Sequence, residues 1–257
     1  MKWTIAGASV AGTSHLRAAT PCQDSHGYRT VRQGQGNVLL IAVSDGAGSA
    51  SHSDTGSRTA VEATLAFLER WAGSGEEFTR CTALAAGEAA RQAIFREAQR
   101  LRVSRREVAC TLLFACVAEQ SAIFAQIGDG AWVMGMGGSP WAATWPRAGR
   151  YANETDFLTA DGWTGALQVK RETGPVDCVG VLTDGLQNVA LHHASRTAHQ
   201  PFFRPLLSVL HGNPLAGNLD EQLAAFLANP DLNRRTDDDK TLVMAVKRRL
   251  YLPWRVS

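Results

Sequence analysis

Short apolar runs rich in Val, Ile and Leu recur along the chain, and many of them end at Gly or Asp. Apolar runs that are bounded by such turn-forming residues are typical of buried β-strands. The pattern predicts strands at Trp3–Val10, Val38–Ser44, Val108–Val117, Ala122–Ile127, Ala131–Met136, Cys178–Thr183 and Thr241–Val246.

Other segments carry apolar residues at three-to-four spacing, which is the pattern of amphipathic helices. Two such segments follow the second predicted strand, and two more precede the last one. The predicted helices are Asp54–Trp71, Thr79–Leu101, Pro201–His211 and Leu219–Leu227. Helices that come in blocks between runs of consecutive strands favour antiparallel sheets covered by helices over a parallel doubly wound sheet. We therefore expect an α+β layered sandwich.

Nothing in the sequence marks a domain boundary. It contains no Pro- or Ser-rich linker, no repeat of fixed period and no low-complexity tract, so we expect one domain over residues 1–257. Residues 135–165 are rich in Gly, Pro and Trp and are poorly periodic. This composition predicts a surface excursion that carries function.

The composition excludes several classes of protein. Hydrophobic residues make up 45% of the chain and charged residues 19%, which is too apolar for a disordered protein. A net charge of +2 gives no support for a nucleic-acid partner. No apolar run approaches the ~18 residues of a membrane span, and the N-terminus lacks the features of a signal peptide. We expect a cytoplasmic protein with reduced cysteines, because its five Cys are scattered without a Cys-x-x-Cys pair.

Four Asp-Gly pairs occur in the chain, and those at Asp45, Asp129 and Asp184 directly follow apolar runs. An Asp-Gly pair is the usual chemistry of a tight hairpin. That interpretation suits Asp129, because the predicted strand Ala131–Met136 continues at once as a partner strand. It suits Asp45 and Asp184 poorly, because a longer irregular segment follows each of them. These two aspartates are therefore expected to face loops at strand ends.

More carboxylates stand in comparable places, at Asp24 and in the run Asp237–Asp239 before the last predicted strand. Carboxylates that converge repel one another unless a cation lies between them. Hard oxygen ligands of this kind suit Mg²⁺ or Mn²⁺. The sequence therefore predicts a divalent metal centre.

Five motifs, taken in order, resemble those of the metal-dependent PP2C-type protein phosphatases, in particular their compact bacterial members. The motifs are Pro21-Cys22-Gln23-Asp24, Val43-Ser44-Asp45-Gly46-Ala47-Gly48, Gly128-Asp129-Gly130, Leu182-Thr183-Asp184-Gly185 and Asp238-Asp239-Lys240-Thr241. The segment Tyr151-Ala152-Asn153-Glu154-Thr155 also resembles one found in a bacterial branch of that family. The resemblance covers nearly the whole chain. It implies a four-layer α-β-β-α sandwich with a two-metal centre in the cleft at one end.

The resemblance also implies ligands for two Mn²⁺ or Mg²⁺ ions. Asp45 would bridge both ions, and the carbonyl of Gly46 would bind one of them. Asp184 and Asp238 would bind the other ion, with Asp239 as the alternative to Asp238. Asp45, Asp184 and Asp238 would thus be the catalytic carboxylates.

Two further aspartates are implied in outer roles. Asp24 matches the acidic residue that holds metal-bound waters in the family. Asp129 matches one that, together with Asp184, can hold a third and looser ion.

The chain departs from the family pattern in three places. Gln23 stands where many relatives have Glu, which predicts weaker binding of that metal. Ala47 stands where eukaryotic members carry a histidine proposed as the general acid, and His52 is close to it in sequence. The phosphate-binding arginine of the family precedes the N-terminal acidic motif, and Arg17 is the candidate for substrate binding here.

The function implied is hydrolysis of phosphoserine or phosphothreonine by direct attack of a water or hydroxide that bridges the two ions. The expected partner is a phosphorylated protein, such as a Ser/Thr kinase or one of its targets, and the chain is expected to be a monomer. The alternative is a catalytically weak module of the same fold that binds a phosphorylated partner. Other chemistries have no support, because the sequence has no Cys-x5-Arg motif and no P-loop.

Overall fold

The computed structural model describes residues 2–34, 36–136, 139–142, 144–146, 155–212 and 217–248. Its elements, in chain order, are β1 (Trp3–Val10), α1 (Thr13–Ala18), β2 (Ser25–Gln33), β3 (Gly36–Ser44), α2 (Ser53–Ser74), α3 (Arg80–Leu101), β4 (Leu112–Val117), β5 (Ser121–Ile127), β6 (Ala131–Met136), β7 (Ser139–Ala142), α4 (Trp163–Ala166), β8 (Gln168–Thr173), β9 (Cys178–Leu182), α5 (Gln187–Ala190), β10 (Leu191–His192), β11 (Thr197–Ala198), α6 (Gln200–Gly212), α7 (Leu219–Leu227), α8 (Pro230–Asn233) and β12 (Lys240–Lys247). Within those ranges, no helix has the length and apolar character needed to cross a membrane.

Ten of these strands form two five-stranded antiparallel sheets. The first sheet has the order β1-β12-β9-β6-β7, and the second has the order β2-β3-β4-β5-β8. The short strands β10 and β11 pair only with each other. The two sheets pack face to face, and helices cover both outer faces, which confirms the predicted α-β-β-α sandwich.

The strand β3 shows why a buried strand appears in the sequence as a continuous apolar run. Leu39, Ile41 and Val43 point into the core between the two sheets. Their neighbours Leu40 and Ala42 point the other way, into the core formed with α2 and α3. Because alternate side chains of a strand face opposite sides, a strand that is buried on both sides must be apolar at every position.

The outer face of the first sheet is covered by α6 and α7. Phe203, Leu207 and Leu210 of α6 share a buried cluster with Leu223 of α7 and Met244 of β12. Their three-to-four spacing along α6 places them on one side of the helix. The burial of that side explains why the sequence pattern located both helices.

The sequence pattern did not locate β2 and β8, and both are edge strands of the second sheet. Most of their residues are only partly buried or are exposed. Strands with so little buried surface carry few apolar residues, so their periodic signal is weak. The predicted strand Val108–Val117 also begins later than expected, at Leu112, because a 3₁₀ turn occupies Arg105–Val108.

The hairpin interpretation of Asp129-Gly130 is wrong. The preceding strand β5 belongs to the second sheet and pairs with β4 and β8, whereas β6 belongs to the first sheet and pairs with β7 and β9. The chain therefore crosses from one sheet to the other at Gly128-Asp129-Gly130. Gly128 adopts a φ of 107°, a conformation that side-chain-bearing residues rarely reach.

Candidate metal centre

The strand registers bring several chain segments to one end of the sandwich. Ser25 at the start of β2 pairs with Ser44 at the end of β3. In the first sheet, Leu182 at the end of β9 pairs with Leu242 near the start of β12 and with Ala131 at the start of β6. The aspartates that flank these strands must therefore emerge at the same end.

Three of them form a cluster at that end. Asp45, Asp129 and Asp184 each offer a carboxylate oxygen, and these oxygens all lie within 4.8 Å of one another. The cluster opens into a cavity of about 130 Å³. The residues that line the cavity are His15, Gln23, Asp45, Gly46, Ala47, Gly48, Thr111, Asp129, Thr155, Phe157, Asp184, Asp238 and Asp239.

Hydrogen bonds to neighbouring segments fix two of these aspartates. The backbone N–H of Asp45 donates to the hydroxyl of Thr111 at 2.9 Å, and the N–H of Thr111 donates to the carbonyl of Asp45 at 2.8 Å. The hydroxyl of Thr155 donates to Oδ2 of Asp129 at 2.6 Å. The side-chain amide of Gln187 donates to the Asp129 carbonyl, also at 2.6 Å. The fold itself therefore holds the backbone of Asp45 and both the backbone and the carboxylate of Asp129.

The cavity is unfavourable for unneutralised carboxylates. Burial raises the pKa of Asp45 well above its ordinary value, and the charges of Asp24 and Asp184 raise it further. Burial and the charge of Asp129 raise the pKa of Asp184 to about 6. The pKa of Asp238 is also raised, chiefly by burial. A bound cation would remove this cost.

The residues present fit a hard divalent cation. Oδ1 of Asp129 and Oε1 of Gln23 are buried and accept no hydrogen bond within the described part of the chain. Buried oxygens of this kind ordinarily have a partner. The cavity thus offers carboxylate oxygens and the amide oxygen of Gln23, which are ligands typical of Mg²⁺ and Mn²⁺.

Asp24 is not among the residues that line the cavity. It is 5% exposed, and the hydroxyl of Thr183 donates to its Oδ2 at 2.8 Å. Oδ1 has no hydrogen-bond partner among the residues described. Burial raises the pKa of Asp24 to about 8. The structure thus buries Asp24 beside Thr183, outside the lining of the cavity.

The structure distinguishes Asp238 from Asp239. Both oxygens of Asp239 are occupied, because Oδ1 accepts from the N–H of Gly12 at 2.7 Å and Oδ2 accepts from the N–H of Gln23 at 2.6 Å. Asp238 lines the cavity with one oxygen engaged, its Oδ1 accepting from the N–H of Asp239. A Cβ atom at Gly12 would collide with the backbone of this loop, so glycine is required there.

The structure does not bring Arg17 or His52 to the cavity. The Arg17 side chain is exposed and lies 3.6 Å from Asp237. His52 precedes α2, and its backbone N–H donates to the carbonyl of Glu107. Neither residue lines the cavity, and the basic side chain that does so within the described part of the chain is His15. Sequence reasoning missed His15, although it stands two residues from Arg17 in the same short helix.

A model of the family "Protein phosphatase 2C" matches residues 11–228 of the chain. The chain belongs to the protein phosphatase 2C family. This PP2C chain is 35% identical to serine/threonine-protein phosphatase 3 of Escherichia coli (strain K12) over 255 residues, which cover 96% of this chain and 99% of the relative.

Solved structures of PP2C-type phosphatases share the fold. One is the serine/threonine phosphatase Stp1 from Staphylococcus aureus, which is 14% identical with a TM-score of 0.62 and covers 97% of this chain and 96% of its own. Another is the catalytic domain of the serine/threonine protein phosphatase PstP in complex with two manganese ions. It is 17% identical with a TM-score of 0.59, and the match covers 96% of this chain and 99% of the PstP chain. These structures show the fold, whereas the family match and the 35% identical relative make the chain a PP2C-type serine/threonine phosphatase. The motif-like residues Tyr151-Ala152-Asn153-Glu154 lie outside the described residues.

Proposed function

We propose that this PP2C chain hydrolyses phosphoserine and phosphothreonine esters of proteins with two Mn²⁺ or Mg²⁺ ions in the candidate metal centre. The observation that carries the proposal is the convergence of Asp45, Asp129 and Asp184 within 4.8 Å at the cavity. The two manganese ions of the PstP structure support the same kind of centre. The protein substrate would be a Ser/Thr kinase or one of its targets, and the enzyme would act as a monomer.

The lining of the cavity supports the ligand set that the family resemblance implies. Asp45 would bridge the two ions, with the Gly46 carbonyl as a ligand to one of them, and Asp184 and Asp238 would bind the other. Asp129 would hold a third, outer ion together with Asp184. Asp239 is left out of the ligand set, because both of its oxygens already accept backbone hydrogen bonds.

When bound, two such ions supply a hydroxide nucleophile near neutral pH and balance the charge on the phosphoryl oxygens. The protein's own part is to hold the carboxylates before the reaction begins, so that no reorganisation is needed at the transition state. No nucleophilic side chain is required for this direct hydrolysis. The nearby thiol of Cys22 is unsuited to that role, because burial and the charge of Asp24 raise its pKa far above the ordinary value.

The competing interpretation is a catalytically weak module that binds a phosphorylated partner. Such a module has no need for three partly buried carboxylates that converge, two of which, Asp45 and Asp184, have a pKa raised by burial and by neighbouring charges. Carboxylates of this kind cost stability when no cation is bound, so their convergence favours an enzyme.

The proposal is tested by assaying metal-stripped protein on a phosphothreonine peptide with added Mn²⁺ or Mg²⁺. We expect turnover to depend on the added metal and to be abolished by excess chelator. Anomalous scattering from Mn²⁺-soaked crystals would give the number of ions and their ligands. Full turnover in excess chelator would refute the metal mechanism. Tight binding of the phosphopeptide without turnover in saturating metal would favour the binding module.

A further inference from the structure

We propose that His15 is the general acid that protonates the leaving serine or threonine oxygen. This inference rests on the proposed function and deepens it. His15 lies in α1, and its ring lines the same cavity as the aspartate cluster. Among the described residues that line the cavity, it is the only Lys, Arg or His side chain.

The orientation of the ring supports a proton-donating role. Nδ1 of His15 lies 2.8 Å from Oδ1 of Asp239 and is buried. The side chain as a whole is nevertheless 18% exposed. The contact of Nδ1 with Asp239 leaves the other ring nitrogen, Nε2, for the substrate. A histidine whose Nδ1 faces a carboxylate keeps its proton there, which leaves Nε2 for exchange with the substrate.

Asp239 is itself held in place and can therefore fix the orientation of the His15 ring. Its side chain is 4% exposed, and it accepts hydrogen bonds from the backbone N–H groups of Gly12 and Gln23. Because these two hydrogen bonds fix the carboxylate of Asp239, the contact with Nδ1 is kept only when the His15 ring stays in its present orientation. Asp239 is thus a positioning residue for His15, which agrees with its exclusion from the metal ligands.

The chemistry requires such a donor, because an alkoxide leaves poorly without a proton. Ala47 stands at the position where eukaryotic members of the family carry a histidine, and His52 does not line the cavity. In the proposed step the oxygen of water forms a bond to phosphorus, and the bond from phosphorus to the Ser or Thr oxygen breaks. The electron pair stays on the leaving oxygen, which takes the proton from Nε2 of His15. The attacking water loses its proton to solvent, and solvent returns one to His15.

The test compares two substrates that differ in their need for a proton. p-Nitrophenolate is a stable anion that leaves unprotonated, whereas the threonine alkoxide needs a proton. We expect His15→Gln to lower kcat for a phosphothreonine peptide by ~10²-fold or more. Its kcat for p-nitrophenyl phosphate should stay close to that of the wild type. His193→Gln is the matched control, because His193 is exposed and does not line the cavity.

Three further measurements keep the outcome interpretable. His15→Gln should bind Mn²⁺ in wild-type amounts and unfold at the wild-type temperature. In His15→Ala, added imidazole should restore part of the turnover of the phosphothreonine peptide and leave that of p-nitrophenyl phosphate unchanged. An equal loss on both substrates, or an intact rate on the peptide, would overturn the role of His15 while the phosphatase proposal stands. Wild-type protein inactive on both substrates with Mn²⁺ would instead overturn the phosphatase proposal.

Discussion

The hydroxyl of Thr183 donates a hydrogen bond to Oδ2 of Asp24 and so joins the two sheets beneath the candidate metal centre. Thr183 follows β9 in the first sheet, and Asp24 precedes β2 in the second. The same hydroxyl oxygen accepts from the backbone N–H of Thr241 at 3.1 Å. One buried side chain therefore satisfies a carboxylate and a backbone amide at once.

Thr183→Val should destabilise the metal-free protein by about 1–3 kcal/mol, because two buried polar groups lose their partner while the side-chain volume is kept. Urea unfolding in chelator measures the free energy of unfolding. Thr183→Ser retains the hydroxyl and is the matched control. An unchanged free energy of unfolding in the valine variant would show that water replaces the hydroxyl.

Asp45→Asn or Asp184→Asn should lower kcat by ~10³ or more, because the charge that holds the ions is lost while the side-chain shape is kept. Steady-state kinetics with saturating Mn²⁺ measures the effect, and circular dichroism checks that the variants fold. Asp161→Asn is a suitable control, because Asp161 also precedes a glycine but is exposed and lies near Arg91. Near-wild-type turnover in Asp45→Asn would mean that the centre is misplaced.

Asp129→Asn should lower kcat while the two inner ions remain bound, because the proposal assigns Asp129 to an outer ion. The Thr155 hydroxyl can still donate to the amide oxygen, so the local fold should persist. Kinetics across a Mn²⁺ titration, with metal content measured in parallel, tests this. Wild-type rates at every Mn²⁺ concentration would remove Asp129 from the mechanism.

The stability of the metal-free protein should fall as the pH rises from about 5 to 8. In the fold, burial raises the pKa of Asp184 to about 6 and that of Asp24 to about 8, both above their ordinary values. Across this pH window these two carboxyls hold more protons in the folded state than in the unfolded chain, so through them a higher pH favours unfolding.

Thermal unfolding of the chelated protein at several pH values measures this dependence. Asp184→Asn should make it shallower, since one of the raised groups no longer titrates. Added Mn²⁺ should raise the unfolding temperature most at the higher pH values, because the metal binds the ionised carboxylates. A chelated protein whose stability rises from pH 5 to 8 would contradict the raised pKa values.

How far the sequence determines the fold differs from element to element. The bounds of β1, β6 and α7 agree with the pattern of apolar residues, because each buries a regular set of side chains. The helix α3 begins one residue later than predicted, because Thr79 is its N-cap and accepts a hydrogen bond from the N–H of Thr82. The strand β2 gave no comparable signal, because its residues are only partly buried or are exposed.

The candidate site was predictable only in part. The strand-end positions of Asp45 and Asp184 follow from local sequence, and their convergence from the family resemblance. The sheet change at Asp129 depends on which strands pair, and a short pattern of residues does not contain that information. The same holds for His15, because its place beside Asp239 arises from contacts between the two ends of the chain. Nor could spacing show that Arg17 lies outside the cavity.

The crossing of the chain at Asp129 bears on the order in which the molecule assembles. Asp45 extends from the second sheet and Asp184 from the first, so the cluster exists only after the sandwich has closed. An ion bound there stabilises the native state without stabilising the folding transition state, provided that the sheets close late. Such an ion lowers the unfolding rate of the sandwich more than it raises the folding rate.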